Sequence, residues 1–134
     1  MKRTLLLIVI STLTLSARSF GALGNSEEQV AGLFGQPVDK GTPNTRGITT
    51  NVYEKGNYVI LVQFLRGLSL AESYTRVDKL ELSEKEISAF LEGSGNGRSW
   101  DKQPDKMAWE RSDHKARAWY QTLSGRPTLL VQAE

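Results

Sequence analysis

The chain has no cysteine and only one histidine in 134 residues. Without cysteine there is no disulfide, no thiol nucleophile, no thiolate zinc site and no attachment point for a bacterial lipid anchor. The single histidine, His114, follows Ser112 and Asp113 and lies four residues after Glu110. Neighbours on a strand point to opposite faces, so this cluster does not make a triad by itself. Asp101 and Asp105 lack the alternating oxygen ligands of a calcium loop. The glycine-rich stretch 93–98 follows a helical pattern and lacks the Gly-Lys-Ser/Thr ending of a phosphate loop. No catalytic residue, metal or cofactor is expected.

Long apolar runs are also missing, apart from the N-terminus. Lys2 and Arg3 precede an apolar stretch over 4–15, and residues 16–24 then turn small and polar. That order is the pattern of an export leader, too short for a comfortable membrane span. Residues 1–24 are therefore predicted to be a signal peptide, with cleavage after Gly24 or near Gly21. The leader holds Lys2, Arg3 and Arg18 but no acid, so residues 25–134 carry 14 basic and 15 acidic side chains. The net charge of +2 is the sum of +3 in the leader and −1 in the rest. Without that surplus, nothing favours nucleic acid, and no stable membrane insertion is expected after cleavage. The location expected is the periplasm or the extracellular space.

Residues 25–134 are long enough for one domain, and they read as a repeat. Ser26 with Gln29, and Ser83 with Glu86, are two capping boxes. Val30, Leu33 and Phe34 follow the first, and Ile87, Phe90 and Leu91 the second, each an apolar face at helical spacing. Leu82 is placed to staple against Ile87. Gly35 and Pro37 end the first helix, and Gly93, Gly95 and Gly97 the second.

After each helix comes a turn-rich stretch, 39–47 or 93–106, and then three β-prone segments. These are 48–54, 58–66 and 70–78 in the first unit, and 107–111, 114–121 and 127–133 in the second. Tyr53 and Trp109, like Phe64 and Tyr120, fall at matching points. The expected fold is α+β, with two tandem helix-β-β-β units (25–80 and 81–134) closing one antiparallel core, edge to edge or face to face. Segment 58–66 should be central, and 114–121 closer to solvent. Glu72 and Asp78 fall on one face of their strand and read as solvated carboxylates.

Aromatic placement is the one unusual feature. Trp100, Trp109 and Trp119 all fall in the second unit. Trp119 and Tyr120 are adjacent, so on a strand one of them points away from the core. Exposed Trp, Tyr and Arg anchor protein interfaces. The candidate partner-binding surface is therefore Trp100, Trp119 and Arg117.

The segment 26–66 combines a capped short helix, the run Leu33, Phe34, Gly35, Gln36, Pro37, an aromatic strand ending at Tyr53, and the apolar strand 58–64 before Gly67. It resembles the small outer-membrane assembly lipoproteins of the BamE/SmpA type and the β-lactamase inhibitory proteins, which use duplicated helix-plus-sheet units. The lipidated cysteine of the first group and the disulfides of the second have no counterpart here. The resemblance implies an exported bacterial protein that binds other proteins and is not an enzyme. The function expected is a non-enzymatic binding protein of the periplasm or envelope, with a protein partner. A carbohydrate or cell-wall binding module using exposed tryptophans is the alternative.

Overall fold

The capping signals of the sequence become two helices in the computed structural model, which describes residues 22–134. The expected leader lies outside the described residues, apart from 22–24. Helix α1 (Glu27–Phe34) and helix α2 (Glu84–Gly93) each start at a serine whose side chain accepts from the N3 backbone N–H. The N3 side chain, Gln29 or Glu86, accepts from the serine N–H in return. Gly35 ends α1 at φ 88°, a conformation that disfavours residues with a Cβ.

Each helix is followed by four strands. The first set is β1 (Asp39–Lys40), β2 (Ile48–Lys55), β3 (Tyr58–Leu65) and β4 (Leu68–Arg76). The second is β5 (Trp100–Lys102), β6 (Ala108–Arg111), β7 (Ala116–Leu123) and β8 (Arg126–Ala133). All eight form one antiparallel sheet in the order β1-β2-β3-β4-β8-β7-β6-β5. The two units thus join edge to edge through their last strands, where residues 71–74 pair with 129–132. This α+β architecture keeps the expected duplication and adds a short outer strand to each unit.

Several boundaries move. The strand expected at 70–78 runs over Leu68–Arg76, and the one expected at 114–121 runs over Ala116–Leu123. His114 lies in the preceding turn at φ 61°, with Nδ1 3.1 Å from Glu110 Oε1. The centre of the sheet is β4 and β8, with β3 third from its end. Strand β7 is inside the sheet as well, and its Ala116 and Ala118 are fully buried.

The helices define a core face. Ile60, Val62 and Phe64 of β3, Tyr74 of β4, and Leu129 and Val131 of β8 pack there with Val30, Phe34, Phe90 and Leu91 of the helices. Tyr74 is in contact with both helices. Its ring stacks on Phe90 at 4.2 Å and meets Phe34 edge-on at 6.5 Å. Tyr53 and Trp109, and Phe64 and Tyr120, occupy the same face of equivalent strands, as the repeat spacing predicts.

Two arginine clasps hold α2. Arg76, at the end of β4, makes paired hydrogen bonds to Asp78 and reaches Glu86 in the first turn of α2 at 2.9 Å. Arg111, at the end of β6, makes the same paired contact with Asp113 and donates to the Ser94 carbonyl, just past α2, at 3.1 Å. Each aspartate also accepts a backbone N–H two residues on, from Leu80 or Lys115, which tightens the turn.

Candidate functional site

The other face of the sheet carries no helix. Its residues follow from the register, because every second side chain points the same way. Val52, Leu61, Ser73, Leu130, Trp119 and Ala108 form one row across six strands, each directly opposite the next. The next row reads Thr50, Gln63, Ala71, Gln132, Arg117 and Glu110. Around the middle of the first row lies a concave apolar site of about 480 Å³, lined among others by Val59, Leu61, Leu130, Trp119, Gln63 and Arg126. Leu61 is 38% and Trp119 36% exposed. Nothing among the described residues packs over this row.

The three residues read from the sequence as a partner surface divide between the faces. Trp119 and Arg117 share the helix-free face, two positions apart on β7. The Arg117 guanidinium is engaged there by Glu134, with Glu110 at 3.8 Å. Trp100 is on the core side, where its indole Nε1 donates to the Leu91 carbonyl at 2.6 Å and the ring packs against the core. Tyr120 also turns to the core side and accepts from the Leu82 N–H at 2.8 Å. Leu61 and Leu130 were missed by the sequence reading. Their only signal is alternation: each falls between core residues in a strand too apolar throughout to reveal two faces.

A second unusual place is inside. Glu72 does not lie on a solvated face with Asp78, as its strand position suggested. It points into the core at 2% exposure, while Asp78 lies beyond the end of β4 and is clasped by Arg76. The hydroxyls of Ser69 and Ser94 donate to Glu72 at 3.1 Å each, the Ala22 N–H donates at 3.2 Å, and the Tyr74 hydroxyl donates as well. Burial pushes the Glu72 carboxyl above its ordinary value, against the opposite pull of these donors. The Tyr74 hydroxyl is raised by burial and by its acidic neighbour, and stays protonated.

The chemistry available on the helix-free face is therefore limited. Glu72 belongs to the strand walling the concave site, but its carboxyl is turned to the other side of the sheet. Arg126 is the other ionisable residue of the wall, so no two ionisable groups converge there. Among the described residues no group of three or more His, Cys, Asp or Glu is arranged to hold a metal ion. No described helix is long and apolar enough to cross a membrane.

Neither a known family profile nor a curated protein matches the chain. Among solved structures it is similar to a cysteine-rich secretory protein from Staphylococcus aureus Mu50, at 15% identity and a TM-score of 0.45. It is also similar to an extracellular protein containing an SCP domain from Bacillus anthracis Ames, at 10% identity and a TM-score of 0.48. Each likeness covers 84% of this chain and 44% of the other, so the chain spans less than half the length of the structures it matches. These matches correct the resemblance drawn from segment 26–66, because neither is an assembly lipoprotein or a β-lactamase inhibitory protein. A capped helix followed by an aromatic strand and an apolar strand is too generic a pattern to single out those groups. At TM-scores below 0.5 the likeness assigns this chain neither a family nor a function.

Proposed function

We propose that the protein is exported to the periplasm or the extracellular space and works there by binding another protein through the helix-free face of its sheet. The observation that carries this reading is the in-register row Val52, Leu61, Ser73, Leu130, Trp119 and Ala108, apolar in five of six places and uncovered among the described residues. An apolar surface of this kind at the centre of a sheet marks an interaction site. Trp119 supplies the large aromatic anchor typical of interface hot spots. The partner should offer apolar side chains to Leu61, Leu130 and Trp119, with polar contacts to Gln63, Gln132 and Arg126 at the rim. In the concave site itself no two ionisable groups converge, which favours binding over catalysis. Both similar structures are described as secretory or extracellular, which agrees with the leader pattern in this chain.

A carbohydrate partner has one point in its favour, the exposed Trp119 at the edge of the concave site. A sugar platform built on tryptophan would draw on Trp100 and Trp109 too, and both are turned to the core side. The test compares full-length chain and its Trp119→Asp variant as baits against native envelope and culture-fluid fractions. A protein recovered with the first and lost with the second supports the reading. Retention on peptidoglycan or glycan resin, with no protein partner dependent on Trp119, overturns it in favour of the carbohydrate alternative.

A further inference from the structure

Glu72 is a carboxyl group shut away from water, and no Lys, Arg or His among the described residues forms an ion pair with it. A buried carboxylate without a cation is costly even when its oxygens are hydrogen-bonded. One of its donors is unlike the others. The Ala22 nitrogen is a backbone atom from the segment ahead of α1, and Ala22 is 0% exposed. Residues 22–25 belong to the fold. Ala22 is in the core cluster and Leu23 packs against it. Gly24 donates to the Ser69 carbonyl at 3.0 Å, and Ser69 donates to the Asn25 carbonyl at 2.7 Å. These bonds fix the Ala22 nitrogen against Glu72.

The leader pattern allows a cut at either of two places, because Ser19 and Gly21 are spaced as small residues in the same way as Ala22 and Gly24. The fold distinguishes them. A cut after Gly24 would remove Ala22 and Leu23 from the core and one donor from Glu72. A cut after Gly21 keeps Ala22 and Leu23 in the core and changes the Ala22 nitrogen from an amide, with one N–H and no charge, into an ammonium with three donors and a positive charge.

We infer that the exported chain is cut between Gly21 and Ala22, and that the new α-ammonium of Ala22 forms a buried ion pair with Glu72. In this step a leader peptidase directs water onto the Gly21 carbonyl carbon. The water hydroxyl stays on that carbon, the C–N bond breaks, and the nitrogen leaves with the proton of the water as a primary amine. A further proton from solvent makes it the ammonium at neutral pH. Ser69, Ser94 and the Tyr74 hydroxyl continue to donate to Glu72, so polar groups of β4 and of the residue that caps α2 surround the pair. Maturation then completes the core electrostatically, and the unprocessed chain lacks that pair.

This inference rests on the export part of the proposed function, and one experiment separates their failures. The full-length chain is expressed in an export-competent bacterial host, and the N-terminus of the exported product is read by mass spectrometry. The native product is then treated with an amine-acylating reagent near pH 7.5, and labelling of its N-terminal peptide is compared with the same protein unfolded in urea. The expected product begins at Ala22, and its N-terminus labels at least about sevenfold more slowly when native, the factor that one unit of pKa displacement gives at that pH. Glu72→Gln, which keeps the shape, should restore most of the labelling rate. Gly21→Leu should prevent the cut, while Gly24→Leu should leave the start unchanged. A product beginning at Asn25 overturns the inference and leaves export standing. Recovery of the chain only in the cytoplasm, with its whole leader, overturns both. A start at Ala22 with native labelling as fast as unfolded, or equally slow in Glu72→Gln, overturns the ion pair.

Discussion

Trp119 stands directly opposite Leu130 on the neighbouring strand, whereas Tyr120, the next residue, stands opposite Leu129 on the other side of the sheet. One dipeptide thus divides its two rings between two tasks. Tyr120 ties the approach to α2 to the sheet through the Leu82 N–H, and Trp119 remains on the helix-free face. Replacing Trp119 by threonine, a good strand residue, should therefore lower stability by about 1 kcal/mol and abolish partner binding. Trp100→Phe should do the reverse. It leaves the Leu91 carbonyl without its indole donor, lowering stability by about 2 kcal/mol while binding persists. Urea unfolding and a binding assay on both variants would read the two effects separately, and equal loss of binding would place Trp100 in the interface.

Glu72→Ala should be the most damaging single change in the core. It orphans the hydroxyls of Tyr74, Ser69 and Ser94 together with the Ala22 N–H, for a loss of about 4 kcal/mol in chemical denaturation. A transition midpoint close to that of the unaltered protein would mean that water fills the space and satisfies these groups.

Acid should release the two arginine clasps. Arg76 holds the Asp78 carboxyl down to about 2, and Arg111 holds that of Asp113 down to about 2, both from an ordinary value of 3.8. A folded-state value below the unfolded one gives stability that is fully present above about pH 4 and is lost as pH falls towards 2. Thermal unfolding measured across that window should show the decline. It should be shallower in Asp113→Asn, which starts without one clasp and so has less to lose.

The capping boxes allow a test of additivity. Ser26→Ala and Ser83→Ala should each lower stability by about 1 kcal/mol, since each removes the side-chain acceptor for an N3 backbone N–H. The two helices are separate elements, so the double variant should lose the sum to within about 0.5 kcal/mol. A smaller combined loss in denaturant titrations would mean that one helix frays without consequence.

Much of this architecture could be read from local signals. Ser26 and Ser83 announce both helices, because caps depend on neighbours three residues away. β-prone runs bounded by turn residues announce the six longer strands. The duplication is visible because Tyr53 and Trp109 have to fill the same place in each unit. What was missed depends on distant residues. Strands β1 and β5, with two and three residues, exist only because Val52 and Glu110 lie opposite them and carry no apolar pattern of their own. The joining of β4 to β8 has no local signature at all. Glu72 was misread because strand position fixes which residues share a side and leaves open which side is buried. His114 was read as the first residue of segment 114–121, but it lies in the turn, so β7 starts two residues later, at Ala116. On the candidate surface, adjacency predicted that Trp119 and Tyr120 would part. Whether Trp100 would join Trp119 depended on how α2 lies across the sheet.

The pairing of β4 with β8 also has a consequence for the order of assembly. The first four strands leave β4 with an unpaired edge, and its partner, Arg126–Ala133, is at the far end of the chain. A polypeptide emerging N-terminus first therefore cannot finish this sheet until Arg126–Ala133 is free. Closure across such a long separation is slow compared with hairpin formation. Until then β4 can accept any strand of suitable register, including β8 of a second molecule. The C-terminal strand is in this sense the latch of the fold, and a chain truncated at residue 125 would lose the means of joining its two halves as well as eight paired residues.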